Sequence, residues 1–522
     1  MTGARDPFDE DAVRVLKRAQ LFERLPRAHL LSNGRHATMI TNAGTGGSAC
    51  GGLALTRWHA DPIEDGDGTF VYLRDLDSGS FWSIGYQPVG GAPRDYEARL
   101  GIDRAEISRL DDGIETRMEV CVSPDDDLEL RRCTVRNTSG RTRRIEVTSY
   151  LEVVLADAAA DASHPAFSKL FVQTEALVGE RALVASRRPR GANERSSWLI
   201  HWLIGAQTAP HAFQYETDRQ RFIGRAGSLA RPQALTTGEP LTGTDGNVLD
   251  PIFSLRTVLE LPDGAQRTVT FGLGSAGTRK DAIELASRHA AEAAVAAAFR
   301  AARQHARDEL ERLSITPAHA SDLLEMTSAL LYGEDRARAT PLDRTRLAAL
   351  GITATRPLVL GEITSRDHAE LAGALATAQA FWQGRGLAVD LVLLIDDSLA
   401  GHGAISDLGA VAGPARAGSL IVRKTSETSG EERALLEALA HVLLRDAWPG
   451  REGDADEEDG DLIEDLDLYR PASELRSEDE AQGVSPAAEE LSFDNGYGGF
   501  TDGGREYLMH VTPSRHPPLP WT

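Results

Sequence analysis

The chain has 522 residues, 41% hydrophobic and 26% charged, the composition of a globular protein long enough for two to four domains. Its formal charge is −23, and an acidic surface repels nucleic acid and anionic lipid, so neither is an expected partner. No apolar run approaches the ~20 residues of a membrane span, and the N-terminus, with Asp6, Asp9, Glu10 and Asp11, has no signal-peptide core. These features predict a soluble, cytoplasmic chain without direct membrane insertion. Cys50, Cys121 and Cys133 form neither a pairing framework nor a metal-ligand spacing, so free structural thiols and no metal or cofactor are expected.

In chain order, residues 1–30 read as a helical lead-in. From about His36 to Ala276 short extended runs alternate with turn signals: Thr69 to Leu73, Glu115 to Val122, Leu128 to Val135, Arg144 to Leu155 and Arg267 to Leu273. Asp112-Gly113, Asn137-Thr138-Ser139-Gly140 and Pro262-Asp263-Gly264 supply hairpin chemistry between them. Many such strands and few helical periods predict one large antiparallel sandwich over 31–277. Arg279 to Leu313, rich in Ala, Glu and Arg and lacking Gly and Pro, then reads as one long helix lying across the sandwich. A second helix, Ser321 to Tyr332, takes Ser321 as its cap, which completes a helical linker over 278–335.

Residues 336–450 read as a small α/β unit. Pro357 to Ile363 is a strand, a helix capped by Thr364 or Ser365 runs to Gln383, and Ala388 to Ile395 returns as a strand. Ser419 to Val422 is a third strand, and Gly430 to Ala447 a further helix; strand–helix–strand at this spacing is a parallel crossover. From Glu452 to Glu490 sixteen acidic residues face two arginines, a local charge of −14. Such a stretch buries too little apolar area to offset its ordering entropy, which predicts an acidic disordered linker over 451–490. An EF-hand frame fails there, because Gly460 at loop position six puts Ala455 at position one. A C-terminal β segment, 491–522, completes the chain.

The motifs that could carry chemistry are weak taken singly. Gly44-Thr45-Gly46-Gly47-Ser48-Ala49 nearly spells a dinucleotide loop, but Cys50-Gly51-Gly52 follows instead of a helix start, so an inter-strand loop is expected. Arg57-Trp58-His59 and Phe81-Trp82 with Tyr86 offer indole platforms for sugar C–H faces; core packing is the competing role for both tryptophans. Asp61, Glu64, Asp65 and Asp67 cluster in what reads as a solvated loop rather than as a hydrolytic carboxylate pair. His164-Pro165 reads as structural. No HExxH, GxSxG, P-loop or Cys/His metal set occurs.

Longer stretches carry a family resemblance. Leu31-Ser32-Asn33-Gly34-Arg35, Thr41-Asn42-Ala43-Gly44, Leu55-Thr56-Arg57-Trp58, Tyr72-Leu73-Arg74-Asp75 and Phe81-Trp82-Ser83 form one series. His164-Pro165-Ala166-Phe167-Ser168-Lys169-Leu170-Phe171 and Val248-Leu249-Asp250-Pro251-Ile252-Phe253-Ser254-Leu255 extend it. Together they resemble the cyclic β-1,2-glucan synthases and their glycoside hydrolase family 94 (sugar phosphorylase) relatives, in the "supersandwich" carbohydrate-binding domain. Pro357 to Leu360, Trp382 to Gly386, Val389 to Leu393 and Phe493 to Tyr507 are similar to the segment that follows in the synthases. Gly47, Ala49 and Cys50 depart from it, standing where those relatives tend to place Tyr, Arg and Trp.

The resemblance implies a mainly β plus α/β fold: a β-supersandwich, a long linker helix, a small α/β unit and the acidic linker. In the family an (α/α)6 barrel does the chemistry and a glycosyltransferase portion lies upstream; this sequence holds neither, so no catalytic residue carries over. The expected function is a non-catalytic carbohydrate-binding or scaffolding segment of a β-glucan synthase or phosphorylase system, alongside an inner-membrane synthase. Its implied partners are a β-glucan or oligosaccharide and a barrel-containing protein. Arg57, Trp58, Asp61 and Trp82 are the candidate sugar contacts, the indoles as platforms and the others on hydroxyls. The alternatives are a structural partner subunit without sugar affinity, and part of an active glycosyltransferase or sugar phosphorylase.

Overall fold

The computed structural model describes residues 13–23, 25–189, 197–205, 213–333, 350–352, 356–399, 418–448, 491–494, 498–501, 504 and 506–509. Two nine-stranded sheets form the sandwich. The first runs, in spatial order, Val13–Lys17, Asp95–Gly101, Ala105–Asp111, Ile114–Val122, Leu128–Asn137, Gln266–Ala276, Trp198–Gly205, Ala182–Arg187 and Val172–Leu177, all neighbours antiparallel. Period-two alternation sets its faces: Ile114, Met118, Val120 and Val122 enter the inter-sheet core, while Glu115 and Arg117 point outward. The second sheet is built around the 14-residue strand Arg143–Ala156, which pairs with Pro251–Leu261, Phe70–Asp75 and Leu53–Thr56. Where a helical lead-in was expected, Val13–Lys17 is instead a strand on the first sheet, paired with Asp95–Gly101, and Ala28–Ser32 is a strand on the second.

The first sheet's outer face is apolar where helices cover it. The expected single helix is two, Arg279–Arg288 and Glu292–Leu313. The break falls at His289, which leaves helical geometry (φ −108°, ψ 21°) while its Nε2 lies 2.8 Å from Asp126. This fixed side chain redirects the chain without Gly or Pro. The longer helix lays Val295, Ala298, Phe299 and Ala302 on Cys121, Leu128, Leu130 and Trp202, and the Arg132 guanidinium sits 4.3 Å from the Phe299 ring centre. The next helix, Pro317–Tyr332, starts four residues before Ser321: Thr316 accepts from the His319 amide and Pro317 occupies the first turn.

In the α/β unit four parallel strands lie in the order Leu420–Lys424, Asp390–Ile395, Leu358–Ile363, Ala440–Arg445. The helix expected to reach Ala447 ends at Leu439, and the following residues form the fourth strand, paired with Leu358–Ile363. Val442, Leu443 and Leu444 are buried in succession, as in a strand covered on both faces. The helix Glu370–Gly384 covers one face through Leu371, Leu375, Phe381 and Trp382. Separately, Gly498–Phe500 and Tyr507–Met509 form a hairpin with Phe500 edge-on to Tyr507 at 5.1 Å. The acidic stretch 451–490 lies outside the described residues.

One close approach is decisive for the sandwich. A Cβ on Gly272 would stand 2.3 Å from the buried Trp202 indole, so Gly272→Ala forces one of them to move. The expected cost is about 1–3 kcal/mol, read as a lowered urea midpoint with an unchanged slope.

Candidate functional site

The segment Arg57 to Asp67 leaves the second sheet after Leu53–Thr56 and sends consecutive side chains to different partners. Arg57 points into a charged cluster. Its Nε and second terminal nitrogen donate to the two Asp161 carboxylate oxygens, each at 3.0 Å, and its other terminal nitrogen donates to Glu152 at 2.5 Å. Glu152 also accepts from Arg219 Nε at 2.7 Å and from the Tyr150 hydroxyl at 3.0 Å. Arg219 lies 3.7 Å from Asp250, which pairs with Lys169 at 2.6 Å. Burial opposes ionisation of Glu152, but Arg219 and then Arg57 outweigh it and hold its carboxyl below the usual carboxylate range.

The cluster is assembled from distant stretches. Arg57 comes from Leu55-Thr56-Arg57-Trp58, Lys169 from the short helix Pro165–Lys169, and Asp250 from the turn before Pro251–Leu261. Three of the quoted motifs therefore meet at one end of the sandwich. Glu152, Asp161 and Arg219 complete the meeting and were not visible in the sequence, because Glu152 sits 95 residues from Arg57 on an unremarkable strand. Around the cluster Phe167 is 54% exposed, Leu170 52% and Leu249 76%. His164 links two short helices, a structural placement.

Trp58 turns the other way. Its ring lies edge-on to Tyr332 at 5.7 Å, half-buried beside Met39 and Leu387. A Cβ on Gly47 would stand 2.7 Å from the Trp58 Cβ, which accounts for glycine there. Asp61 accepts from the Ile63 and Glu64 amides and so caps its own turn. That turn delivers Asp65 inward, at φ 41°. Asp65 is 9% exposed and accepts from Thr45 at 2.6 Å, Tyr332 at 2.9 Å and Thr41 at 3.1 Å. The solvated loop expected here is thus partly a buried carboxylate site. Burial outweighs the three hydroxyls and pushes Asp65 above the usual carboxylate range.

Trp82 lies elsewhere, 5% exposed in the inter-sheet core, and presents no open ring face. Packing between the sheets takes it as a core residue. The four sugar-contact candidates therefore do not form one surface: Arg57 serves the ion cluster, Trp58 a contact with the helix Pro317–Tyr332, Asp61 a turn, and Trp82 the core. The Gly44 to Ala49 stretch joins the antiparallel strands His36–Thr41 and Ser48–Cys50, an inter-strand loop as expected.

The sandwich and its motifs define a family. The family described as "Glycosyl hydrolase 94, supersandwich domain" matches residues 11–292, and the chain belongs to it. Over 94% of its length it is similar, at 30% identity, to the cyclic beta-(1,2)-glucan synthase NdvB of Rhizobium meliloti (strain 1021). It is 26% identical over 220 residues to the solabiose phosphorylase of Paenibacillus borealis, and 33% identical over 100 residues to the N,N'-diacetylchitobiose phosphorylase of Vibrio proteolyticus. These matches take in 41% and 19% of the chain. The chain covers 18% of the synthase and 27% and 12% of the two phosphorylases. Among the described residues no helix is long and apolar enough to cross a membrane.

Two outcomes follow from the geometry. Arg57→Ala leaves two largely buried carboxylates short of a partner and should cost about 3 kcal/mol in urea denaturation, with Arg57→Lys recovering only part. Asp65 binds its proton more tightly folded than unfolded, so it lowers stability as pH rises above the ordinary carboxylate range. Asp65→Asn should therefore gain on the parent from about pH 4 upward, seen in thermal melts across that range; a gain confined to lower pH would contradict the assignment.

Proposed function

We propose that this chain is a non-catalytic scaffolding segment of a cyclic β-1,2-glucan synthase or family 94 phosphorylase system. The observation that carries the reading is that Arg57, Trp58, Asp61 and Trp82 are each engaged by the protein itself. A sugar platform needs an open ring face and unspent hydrogen-bonding groups beside it. Catalysis by the nearby carboxylates is disfavoured on similar grounds. A glycosidic general acid must hold a proton and present it to the substrate, whereas Glu152 and Asp161 are held by guanidiniums. Asp65 is the carboxylate inclined to keep its proton, and three hydroxyls enclose it. The exposed Phe167, Leu170 and Leu249 around the ion cluster suit a docking surface for a barrel-containing partner.

A second reading, sugar binding, is favoured by one feature. The outer face of the first sheet, beyond the covering helices, holds an open groove of about 470 Å³ lined by Glu97, Ser108, Glu115, Arg117, Thr134 and Arg136. Those groups match sugar hydroxyls in kind, although no aromatic ring lines the groove.

Calorimetric titration of the chain with linear and cyclic β-1,2-glucan separates the two. Scaffolding predicts no saturable heat, together with co-purification of a barrel-containing protein that weakens in Phe167→Asp. Saturable binding unaffected by Trp58→Ala and lost in Arg117→Ala would replace it with the groove; binding lost in Trp58→Ala would return the site to the loop after Leu53–Thr56.

A further inference from the structure

The three cysteines differ sharply in surroundings. Cys121 and Cys133 are fully buried, and burial pushes both thiols up, Cys133 to about 12. Cys50 is half-buried at the end of Ser48–Cys50, beside the turn residues Gly51 and Gly52. A Cβ added at either glycine would meet nothing within 4 Å, so the approach to Cys50 is open.

Directly across the hairpin from Cys50 stands His36, and opposed residues of an antiparallel pair share a face. The His36 side chain is fully buried, and neither ring nitrogen makes a conventional hydrogen bond. The charged and titratable groups facing it are the Cys50 thiol, within hydrogen-bonding reach, and Glu129 at 3.8 Å. Glu129 is itself fixed: Arg131 Nε donates to it at 2.8 Å, and the Thr38 and Ser48 hydroxyls donate to its other oxygen. Burial works against a charge on His36, but Cys50 and Glu129 outweigh it and raise the imidazole to about 9. His201, buried near the same carboxylate, is lowered to about 4 and stays neutral. The pocket behind Cys50 therefore carries two cations, Arg131 and His36, against one carboxylate. A thiolate at Cys50 balances that charge.

We propose that Cys50 is a reactive thiol, primed by the partnerless His36 ring behind it, and a modification site for low-molecular-weight disulfides. The thiol proton passes to solvent, since the imidazolium already holds its own. The thiolate sulfur attacks one sulfur of the reagent disulfide; a new S–S bond to Cys50 forms as the reagent's S–S bond breaks, and the departing thiolate takes a proton from water. Gly51 and Gly52 leave room for the attached group.

The test uses the folded full chain with the aromatic disulfide dithiobis(nitrobenzoate), following release of its coloured thiolate. One thiol per chain should react quickly, and Cys50→Ser should abolish that phase. At about pH 6 the rate should exceed that of glutathione by about tenfold, and His36→Gln should remove the excess and restore an ordinary thiol pH profile. Arg35→Ala, at an exposed neighbouring position, should change little. A parent rate no higher than glutathione at about pH 6 overturns the proposal without any variant. A folded His36→Gln chain that reacts as fast as the parent overturns the role of His36.

Discussion

Charge compensation inside the sandwich constrains most of what else the structure does. Placing an ion between two sheets costs several kcal/mol unless a partner and further hydrogen bonds meet it. Here Arg143 is fully buried against Asp75 and also reaches Asp112. Arg131 meets Glu129, and Arg57 meets Glu152 and Asp161. Each pair ties strands or loops far apart in sequence, so the loop geometry at both ends is dictated from within. The segment after Leu53–Thr56 adopts its path because Arg57 must reach two carboxylates while Trp58, the next residue, packs the opposite way.

The fold was largely legible. Alternation on Ile145, Val147 and Leu151 marked a strand with one face in the core, and the helix after Ile363 was marked by its apolar spacing. What escaped had a common cause. Ala440 to Arg445 continues the apolar composition of the preceding helix, so composition carried the helix too far, whereas pairing with Leu358–Ile363 decides for strand. His289 breaks a helix through a tertiary contact with Asp126, 163 residues away, for which local propensity has no signal.

Site legibility was poorer for the same reason. Arg57 and Trp58 stood out by residue type, but type alone could not say that each was already engaged. Asp65 looked like one more acid in an acidic loop; its burial depends on Tyr332, more than 260 positions later. Lys169 and Asp250 stood inside recognisable motifs, yet their pairing is a property of three dimensions.

The helix Pro317–Tyr332 bears on how such a module can be inherited. Trp382 Nε1 donates to its Leu323 carbonyl at 3.1 Å, Trp448 Nε1 to its Asp322, and Arg27 to its Glu325. Ser328 accepts from the Ala28 amide, and Tyr332 reaches Asp65. Sandwich and parallel sheet thus share one element by donor and acceptor, not by contact alone. Recombination that separated them near residue 292 would strand polar groups on both sides. Evolution is therefore expected to shuffle this pair as a single heritable block, with exchange breakpoints falling outside it.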